Sequence, residues 1–412
     1  MIKTLDVFID GKLIGHLYDR SPLSFKYSEE CLAGELPSPY GKMIPLEAGE
    51  ISTPAVHAYF ENLLPEGDQR VNLENKFHVS TIFGLLEKVA WDSAGYIVLR
   101  SSGAPENTVE YMKKTWTEIG QIISGQSPQP GFVRGAISGA QYKILLSIDE
   151  HDGNPLLPVG SSATSHILKP DIVRVGQKIW ASAANETIMM RAAQKCGLQT
   201  AHVEYMGKVK SCLVKRYDRI ATTNGLIRIN QFDVCQLLKM TSEVKYEVDG
   251  GPSFMQCYEQ VRSLSINPIL DCERLLNWLF FNLLIGNNDS HAKNISILET
   301  TEGYRLAPFY DLMCTKVYSG FSSNFAFSIG NTFKPGEITS KELRLFAQFI
   351  NVSEKYLLKL AQDMSKKIPP AIQASILELE TQFSHQENVM ALRLGNAVTK
   401  ICKKRIARFV EQ

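Results

Sequence analysis

Apolar and polar side chains alternate at the start of the chain, with the spacing of two that is typical of half-buried β-strands. The alternation runs through TLDVFIDGKLIGHL, where Asp10 and Gly11 separate two strand-like runs. An Asp-Gly pair at that place favours a tight hairpin turn. Further on, TPAVHAYFENLL opens with a Thr-Pro signal for a helix start. These patterns predict a small α+β subdomain over residues 1–125, closed by the Ser-, Gly- and Pro-rich stretch 124–131.

Short strand-like runs dominate the middle of the chain, from residue 131 to about 245, and they are QYKILLSI, SHILKP, HVEYM, KSCLVKRYD and LIRIN. One helical pattern interrupts them, ANETIMMRAAQKCGL, with Asn185 as the expected N-cap and Gly197 as the expected stop. From residue 255 onward the pattern is helical, broken by the strand pair NISILE and GYRLAP. The sequence therefore predicts an α+β fold with a strand-rich lobe at 126–245 and a helical lobe at 246–412, and a ligand cleft between such lobes is common.

Composition narrows the class of protein. Hydrophobic residues make up 44% of the 412 positions, charged residues 21%, and the formal net charge is +1. That balance is typical of a globular protein and gives no long-range attraction to nucleic acid or an anionic membrane. The most apolar stretch, LLNWLFFNLLIG, is well short of the roughly 20 residues that a membrane span needs. The eight cysteines show no zinc or disulfide spacing, and the N-terminus resembles a strand rather than a signal peptide. We expect a cytoplasmic protein with free thiols.

A polar island, IGNNDSHAKNISILET, follows that apolar stretch directly. Within it Asp289 and Asn294 form the pattern D-x-x-x-x-N, which is the spacing of the protein-kinase catalytic loop. A predicted hairpin then leads to Asp311, at the place where a kinase carries its second metal-binding aspartate. Oxygen ligands from Asn294 and Asp311 suit Mg²⁺. The sequence therefore suggests phosphoryl transfer, with Asp289 acting on the substrate hydroxyl.

Further kinase-like parts lie upstream in the order that this hypothesis requires. Lys169 ends the strand SHILKP, and Glu186 on the next helix is a candidate to hold its ammonium group. Gly135 and Gly139 precede a strand in GAISGAQYKILLS, where backbone N–H groups could cover phosphates. The strand CLVKRYD stands where an adenine-binding hinge belongs.

Each of these residues also has an ordinary interpretation. An isolated Asp289 in a loop is more often a turn residue, and an isolated Lys169 is usually a solvated side chain. His291 more often serves as a structural hydrogen-bonding residue than as a base or a metal ligand. Glu186 could simply interact with the helix dipole. The basic run KKRIAR near the C-terminus is most often a solvated helix face rather than a contact with DNA or an acidic partner.

Together the motifs make the chain similar to the HipA-type toxin kinases of bacterial toxin–antitoxin modules. Segments that carry the resemblance occur along nearly the whole chain, and they are FENLLPEG, WDSAG, SGAQYK, HILKP, KRYDR, QFDVCQ, KYEVDGGP, GNNDSHAKN and LAPFYD. The combination of D-x-HAKN with P-x-YD is the most specific of them. The resemblance implies a kinase-like, two-lobed fold preceded by an N-terminal α+β subdomain.

The resemblance also implies an activity and partners. It implies an ATP- and Mg²⁺-dependent serine/threonine kinase that phosphorylates a translation protein, such as an aminoacyl-tRNA synthetase, and so restrains growth. A helix-turn-helix antitoxin of the HipB type would neutralise the toxin and bring it to operator DNA. Two rival functions are a catalytically weak co-repressor with the same fold and a phosphotransferase that acts on small molecules.

Residue by residue, the resemblance implies that Asp289 is the catalytic aspartate, that Asn294 and Asp311 bind Mg²⁺, and that Lys169 binds phosphate. Adenine would contact the backbone around Lys215 and Tyr217, with Gln231 and His291 as supporting residues near the nucleotide. The loop that covers the phosphates would consist of Gly135, Ala136, Ile137, Ser138 and Gly139.

One position departs from the family pattern. Many members carry an autophosphorylated serine two positions before the small residue of their [AS]-G-x-Q loop, and this chain has Ala136 there. Alanine cannot accept phosphate, which puts self-inactivation at this position in doubt. Ser138 is present but matches the small loop residue. Either this member is regulated differently, or it carries a substitution that blocks the modification.

Overall fold

A computed structural model of the chain describes residues 2–34, 36, 40, 43–103, 109–127, 137–174, 176–223 and 225–410. It divides into two units. Unit 1 comprises Met1–Ile167, Arg216–Glu243 and Leu298–Thr301, and unit 2 comprises Leu168–Lys215, Val244–Ile297 and Glu302–Gln412. The lobe boundaries near residues 125 and 245 stay a prediction.

Strands and helices are both abundant, so the predicted α+β class is confirmed. The strands are β1 (Thr4–Ile9), β2 (Lys12–Tyr18), β3 (Ser24–Tyr27), β4 (Val98–Ser101), β5 (Glu110–Lys113), β6 (Ile144–Ile148), β7 (Pro155–Val159), β8 (His166–Pro170), β9 (Val203–Met206), β10 (Ser211–Lys215), β11 (Arg219–Thr222), β12 (Gly225–Arg228), β13 (Gln231–Asp233), β14 (Ser296–Thr300) and β15 (Gly303–Leu306). The helices are α1 (Glu29–Leu32), α2 (Pro54–Glu61), α3 (Gly67–Phe77), α4 (Ile82–Val89), α5 (Trp116–Ile123), α6 (Ser182–Lys195), α7 (Val234–Leu237), α8 (Phe254–Leu264), α9 (Pro268–Ile285), α10 (Ser340–Phe349), α11 (Glu354–Leu379) and α12 (His385–Val410).

Unit 1 begins with an antiparallel sheet in the order β3-β2-β1-β4. The predicted hairpin joins β1 to β2, and both turn residues have left-handed backbones, Asp10 at φ 47° and Gly11 at φ 79°. This is the conformation that an Asp-Gly turn supplies at little steric cost. Strand β1 buries alternate residues, as its sequence pattern predicts.

An aromatic cluster fills the core beside this sheet. Helix α2 starts at Pro54, as the Thr-Pro signal predicts, and contributes Tyr59 and Phe60. Tyr59 packs edge-on against Tyr40 with ring centroids 4.7 Å apart, and Phe25 packs against Tyr40 at 5.3 Å. All four rings are buried. Unit 1 also contains the antiparallel set β5-β7-β6 and the hairpin β11–β12.

Unit 2 is mainly helical, and α9 is its central helix. The apolar stretch that is too short to span a membrane forms the second half of α9, which packs against α8, α11 and α12. Trp278 of this helix stacks on Phe309 with centroids 5.8 Å apart. Gly286 caps the helix at φ 74°, a left-handed conformation that favours glycine and ends the helix there. The polar island therefore starts at a fixed point of the helical core.

The predicted N-cap of α6 was wrong. The helix starts at Ser182, three residues before Asn185, because an acceptor from outside the helix caps it: Asp171 Oδ1 accepts from the N–H of Ala183 at 2.9 Å. Asn185 lies inside the helix, where its side chain donates to the carbonyl of Cys314 at 3.0 Å and accepts from the N–H of the same residue at 3.0 Å. The helix ends at Lys195, shortly before Gly197, as predicted.

All eight cysteines are buried free thiols, which confirms the expectation from their spacing. Among the described residues no helix is both long and apolar enough to cross a membrane.

Candidate active site

The polar island forms a buried loop that hydrogen bonds hold in place. Directly after Gly286, the Asn287 side chain donates to Asn282 Oδ1 of α9 at 2.8 Å. The N–H of Asn288 donates to Thr315 Oγ1 at 2.8 Å. The loop then makes one turn of 3₁₀ helix and continues into β14. Its polar residues therefore fix a loop that begins at the end of the buried half of helix α9.

Asp289 is the carboxylate at the centre of this loop. Its backbone N–H donates to Asn287 Oδ1 at 3.2 Å, and its carbonyl accepts from Asn294 Nδ2 at 3.1 Å. The Tyr246 hydroxyl donates to its carboxylate. Burial raises the pKa of Asp289, and the hydrogen bond from Tyr246 offsets part of that rise. A carboxylate with a raised pKa is better suited to accept a proton from a hydroxyl group.

Asp311 returns to the same loop by way of the hairpin β14–β15. The hairpin closes where the N–H of Ala307 donates to the carbonyl of Ser296 at 2.9 Å. Asn287, which already contacts Asp289, also reaches the carbonyl of Asp311 at 3.5 Å. Asp311 has φ 60°, a left-handed conformation that is uncommon outside glycine. Its side chain is 46% exposed, so the carboxylate borders solvent.

Lys169 joins this group from strand β8. Its ammonium donates to Glu186 Oε1 at 2.7 Å and to Asp311 Oδ1 at 2.9 Å. Burial by itself would lower the pKa of Lys169, but the carboxylates of Asp311 and Glu186 outweigh it and raise the pKa. The lysine is therefore a permanent cation that links helix α6 to Asp311. Glu186 occupies the second turn of α6, and its contact with Lys169 is specific, unlike an interaction with the helix dipole.

The donor set of this group suits a magnesium ion. Asn294 uses its side-chain nitrogen to hold the Asp289 carbonyl, so its oxygen is the atom that would face a cation. Asp311 adds a partly exposed carboxylate. Mg²⁺ prefers few protein oxygens and completes its shell with phosphate and water. No group of three or more His, Cys, Asp or Glu side chains suited to a metal occurs in the described part of the chain, and a two-ligand magnesium site does not require one.

His291 lies in the same loop, and its imidazole is buried. Its ring packs edge-on against Tyr246 with centroids 5.1 Å apart. Its backbone N–H donates to the Asp289 carbonyl at 3.1 Å. These contacts fit the structural role that the sequence favoured for this residue.

The predicted phosphate loop belongs to unit 1. Gly135 and Ala136 lie outside the described residues. Of the other three, Ile137 is half-buried and Gly139 has φ 117°. The Ser138 hydroxyl donates to Glu66 Oε1 at 2.9 Å, and the N–H of Glu66 donates to the Gly139 carbonyl at 3.2 Å. The described end of the loop is thus bound to the residue that precedes helix α3.

The predicted adenine-binding residues occupy two segments. Lys215 ends β10 in unit 2 with an exposed side chain, and its N–H donates to the carbonyl of His202 at 2.9 Å. In unit 1, Tyr217 is half-buried, and Gln231 opens β13. The Gln231 side-chain oxygen is buried and accepts no hydrogen bond from the described residues.

Two residues that sequence reasoning did not single out complete the site. Tyr246 holds the Asp289 carboxylate, and Asn287 connects Asp289 to Asp311. Tyr246 belongs to the motif KYEVDGGP, which supported the family resemblance without having a role of its own. Asn287 is the first polar residue after the cap of α9.

Family models match both parts of the chain. The model of the HipA N-terminal domain matches residues 5–100, and that of the HipA-like C-terminal domain matches residues 135–372, more than half of the chain. The chain belongs to the HipA family.

Relatives and a solved structure agree with this HipA assignment. A Sinorhizobium fredii protein named "Putative kinase Y4mE" is 33% identical over 84% of this chain and 86% of its own length. The "Serine/threonine-protein kinase toxin HipA" of Shewanella oneidensis is 28% identical over 91% of this chain and 90% of its own length. The structure of Shewanella oneidensis HipA in complex with HipB and operator DNA superimposes with a TM-score of 0.83, at 24% identity and over 98% of both chains. The chain therefore has the HipA fold and is an enzyme of the kinase class.

Proposed function

We propose that this HipA-family chain is the toxin of a toxin–antitoxin module and acts in the cytoplasm as an ATP- and Mg²⁺-dependent serine/threonine protein kinase. The observation that carries the proposal is the position of the Lys169 ammonium between Glu186 and Asp311, at 2.7 and 2.9 Å. In protein kinases a strand lysine pairs with a helix glutamate, and an aspartate after the catalytic loop holds magnesium. In this chain the Lys169 ammonium is within hydrogen-bond reach of both such carboxylates.

Each of these residues has one role in the catalytic step. Asp289 accepts the proton from the substrate hydroxyl, whose oxygen attacks the γ-phosphorus while the bond to ADP breaks. Lys169 neutralises charge on the phosphate oxygens. Asn294 and Asp311 would hold Mg²⁺, which would neutralise charge on the phosphate. Catalysis then consists mainly of positioning and electrostatic stabilisation.

The nucleotide base has its own candidate contacts. The backbone around Lys215 and Tyr217 forms the adenine hinge, and the buried oxygen of Gln231 can accept a hydrogen bond from a ligand N–H group. We also assign phosphate binding to the predicted loop of residues 135–139. With Ala136 in place of a serine, regulation by phosphorylation at that position does not operate in this chain.

The partners follow from the relatives. Shewanella oneidensis HipA has been solved with HipB and operator DNA, and we infer a HipB-like helix-turn-helix antitoxin for this chain, which brings it to DNA. The net charge of +1 supports DNA contact mainly through the antitoxin. The protein substrate belongs to the translation machinery, with aminoacyl-tRNA synthetases as the leading class.

Incubation of the purified chain with labelled ATP, Mg²⁺ and cell extract tests the proposal. The wild type should label one or a few proteins, and Asp289→Asn should reduce labelling by about 10³-fold, because the variant loses the base but keeps the shape. Equal labelling by both proteins refutes the assignment of Asp289. Tight antitoxin–DNA complexes without any ATP turnover would favour the co-repressor alternative, and labelling of small alcohols alone would favour a small-molecule phosphotransferase.

A further inference from the structure

A cluster of oppositely charged side chains is buried inside unit 1, and none of its members is assigned to catalysis. Its anions are Asp92 and Asp218, and its cations are Arg216, Arg219 and Arg228. Asp92 is 1% exposed and Arg216 is 3% exposed. Burial of charge on this scale is costly unless every group is paired.

The guanidinium of Arg216 is bonded at every nitrogen. Two of its nitrogens donate to the Asp218 carboxylate, Nε at 3.0 Å and Nη2 at 2.8 Å. Nη2 also donates to the carbonyl of Ser93 at 2.7 Å, and Nη1 donates to Asp92 at 3.2 Å and to the Thr164 hydroxyl at 3.1 Å. Arg216 therefore fixes the backbone at its own position with respect to two other segments of unit 1.

Asp92 is the acceptor that these segments share. Its carboxylate accepts from the Thr164 N–H at 3.0 Å, from the Thr164 hydroxyl at 2.6 Å and from Arg219 Nη2 at 2.9 Å. Burial by itself would raise the pKa of Asp92, but the guanidinium groups of Arg216, Arg219 and Arg228 outweigh it and lower the pKa. Asp92 is therefore ionised in the folded chain and fully engaged.

The two segments that Asp92 holds adjoin, in the sequence, residues that the proposed function assigns to nucleotide binding. Arg216 lies between Lys215 and Tyr217, the predicted adenine hinge. Thr164 lies five positions before Lys169, at the entry to strand β8. Asp92 itself lies in WDSAG, within the part of the chain that matches the HipA N-terminal domain.

We propose that Asp92 is a positioning residue for ATP binding, which fixes the hinge backbone through Arg216 and Arg219 and the entry to β8 through Thr164. This inference rests on the proposed kinase function. It gives the N-terminal domain a task in the reaction, because the carboxylate comes from that domain although it touches no substrate. A displacement of about 1 Å far from the reacting atoms is enough to cost on the order of 10²-fold in rate.

The test compares three isosteric variants of the full chain. Asp92→Asn removes the charge, and Thr164→Val removes the hydroxyl that joins Asp92 to Arg216. The matched control is Glu61→Gln, because Glu61 is a buried carboxylate of unit 1 that pairs with Arg70 at 2.6 Å and accepts from Ser242. Each variant is measured for its melting temperature, for the Kd of ATP by calorimetry, and for kcat and the KM of ATP in the labelling assay.

Asp92→Asn should raise the Kd and KM of ATP about tenfold or more, Thr164→Val should raise them less, and kcat at saturating ATP should change little. Glu61→Gln should lower the melting temperature without changing the Kd of ATP. The inference fails if folded Asp92→Asn binds ATP as the wild type does, or if Glu61→Gln weakens binding equally. If Asp92→Asn does not fold, unchanged ATP binding by Thr164→Val refutes it. A wild type that does not bind ATP refutes the proposed kinase function instead, so the two failures are distinguishable.

Discussion

The chain contains two arrangements of buried charge that differ in how completely they are satisfied. In unit 1, Asp92, Arg216 and Arg219 are buried, and every guanidinium nitrogen of Arg216 donates to a protein acceptor. In unit 2, Lys169 is shared by two carboxylates, and one of them, Asp311, is 46% exposed. The first arrangement is closed and holds backbone in place. The second is open and has more negative than positive charge.

Under the proposed function, the closed arrangement positions the backbone and the open arrangement takes part in the reaction. In the closed network each carboxylate already has cationic partners, so it gains nothing from a ligand. Removal of one partner leaves an uncompensated buried charge that costs about 3–5 kcal/mol. An open group with excess negative charge can bind a cation and then a phosphate. We therefore expect lesions in unit 1 to act through stability and ATP affinity, and lesions in unit 2 to act through the rate of reaction.

The largest effect is expected for Asp311→Asn. Loss of this carboxylate should lower kcat by roughly 10³-fold and raise the Mg²⁺ concentration that half-saturates activity, because the ion loses its charged protein ligand. Since Asp311 is half-exposed, and asparagine tolerates its left-handed backbone, the melting temperature should stay within a few degrees of the wild type. A large drop in melting temperature with unchanged Mg²⁺ dependence would contradict the contrast between the two arrangements.

Lys169→Met should follow, with kcat/KM for ATP reduced by about 10²-fold to 10³-fold, since a fixed cation near the phosphates is lost. The substitution also leaves Glu186 buried without its partner, so stability should fall as well. Glu186→Gln provides the comparison: it keeps the lysine and should lower kcat/KM less than Lys169→Met does. Steady-state kinetics and thermal unfolding measure the loss of kcat/KM and the loss of stability separately. An equal loss of kcat/KM in Lys169→Met and Glu186→Gln would show that the pair acts only structurally.

A smaller effect is expected for Tyr246→Phe. Without its hydroxyl the Asp289 carboxylate loses a fixed orientation, so kcat should fall about tenfold while the KM of ATP is unchanged. Tyr258→Phe is the control, because Tyr258 is a buried tyrosine of the same unit whose hydroxyl contacts Cys272. An increase in kcat for Tyr246→Phe would instead show that this hydroxyl competes with the substrate hydroxyl for Asp289.

The smallest effect on activity is expected for a substitution of Asp271. This residue is a buried carboxylate of unit 2 that is paired with Arg274 at 2.7 Å and Arg305 at 2.9 Å. Burial would raise its pKa, but Arg305, Ser265, the Leu306 N–H and Arg274 lower it to about 2. Because the pKa in the folded chain lies below the ordinary value of 3.8, the ionised carboxylate stabilises the fold above that value. This stabilisation is lost as the pH falls towards about 2.

Chemical unfolding of the wild type and Asp271→Asn across this range measures the effect. The difference in unfolding free energy should be constant above about pH 5 and should shrink between about pH 4 and pH 2. Activity at neutral pH should change much less than in the Asp311 variant. A difference that does not depend on pH would show that the pairing of Asp271 contributes nothing.

The sequence predicted the parts of the site that local structure determines. Asp289, Asn294 and Asp311 come from one loop and one hairpin, so their spacing alone indicates that they lie together. Lys169 and Glu186 lie 17 positions apart on a strand and the next helix, a separation that a known supersecondary pattern covers. The hairpin at Asp10 and Gly11 was predicted for the same reason.

Contacts between distant segments were beyond such reasoning. Tyr246 is 43 positions from Asp289, and Asp92 is 124 positions from Arg216. No periodicity relates residues at those separations, because the fold and not the local pattern brings them together. The N-cap of α6 failed for the same reason: Asp171, from the segment before the helix, supplies the acceptor that Asn185 was expected to provide.

The burial of all eight thiols has a practical consequence for experiments on the intact chain. Cys31 and Cys235 lie in unit 1, and the other six lie in unit 2. Burial raises the pKa of Cys314 and Cys402 to about 12, so these thiols stay protonated and unreactive while the fold is intact. Alkylation followed by mass spectrometry therefore measures the local unfolding of each unit separately, through the cysteines that belong to it. Because no residue has to be substituted, the wild-type chain can show whether ATP or an antitoxin stabilises the first unit, the second, or both.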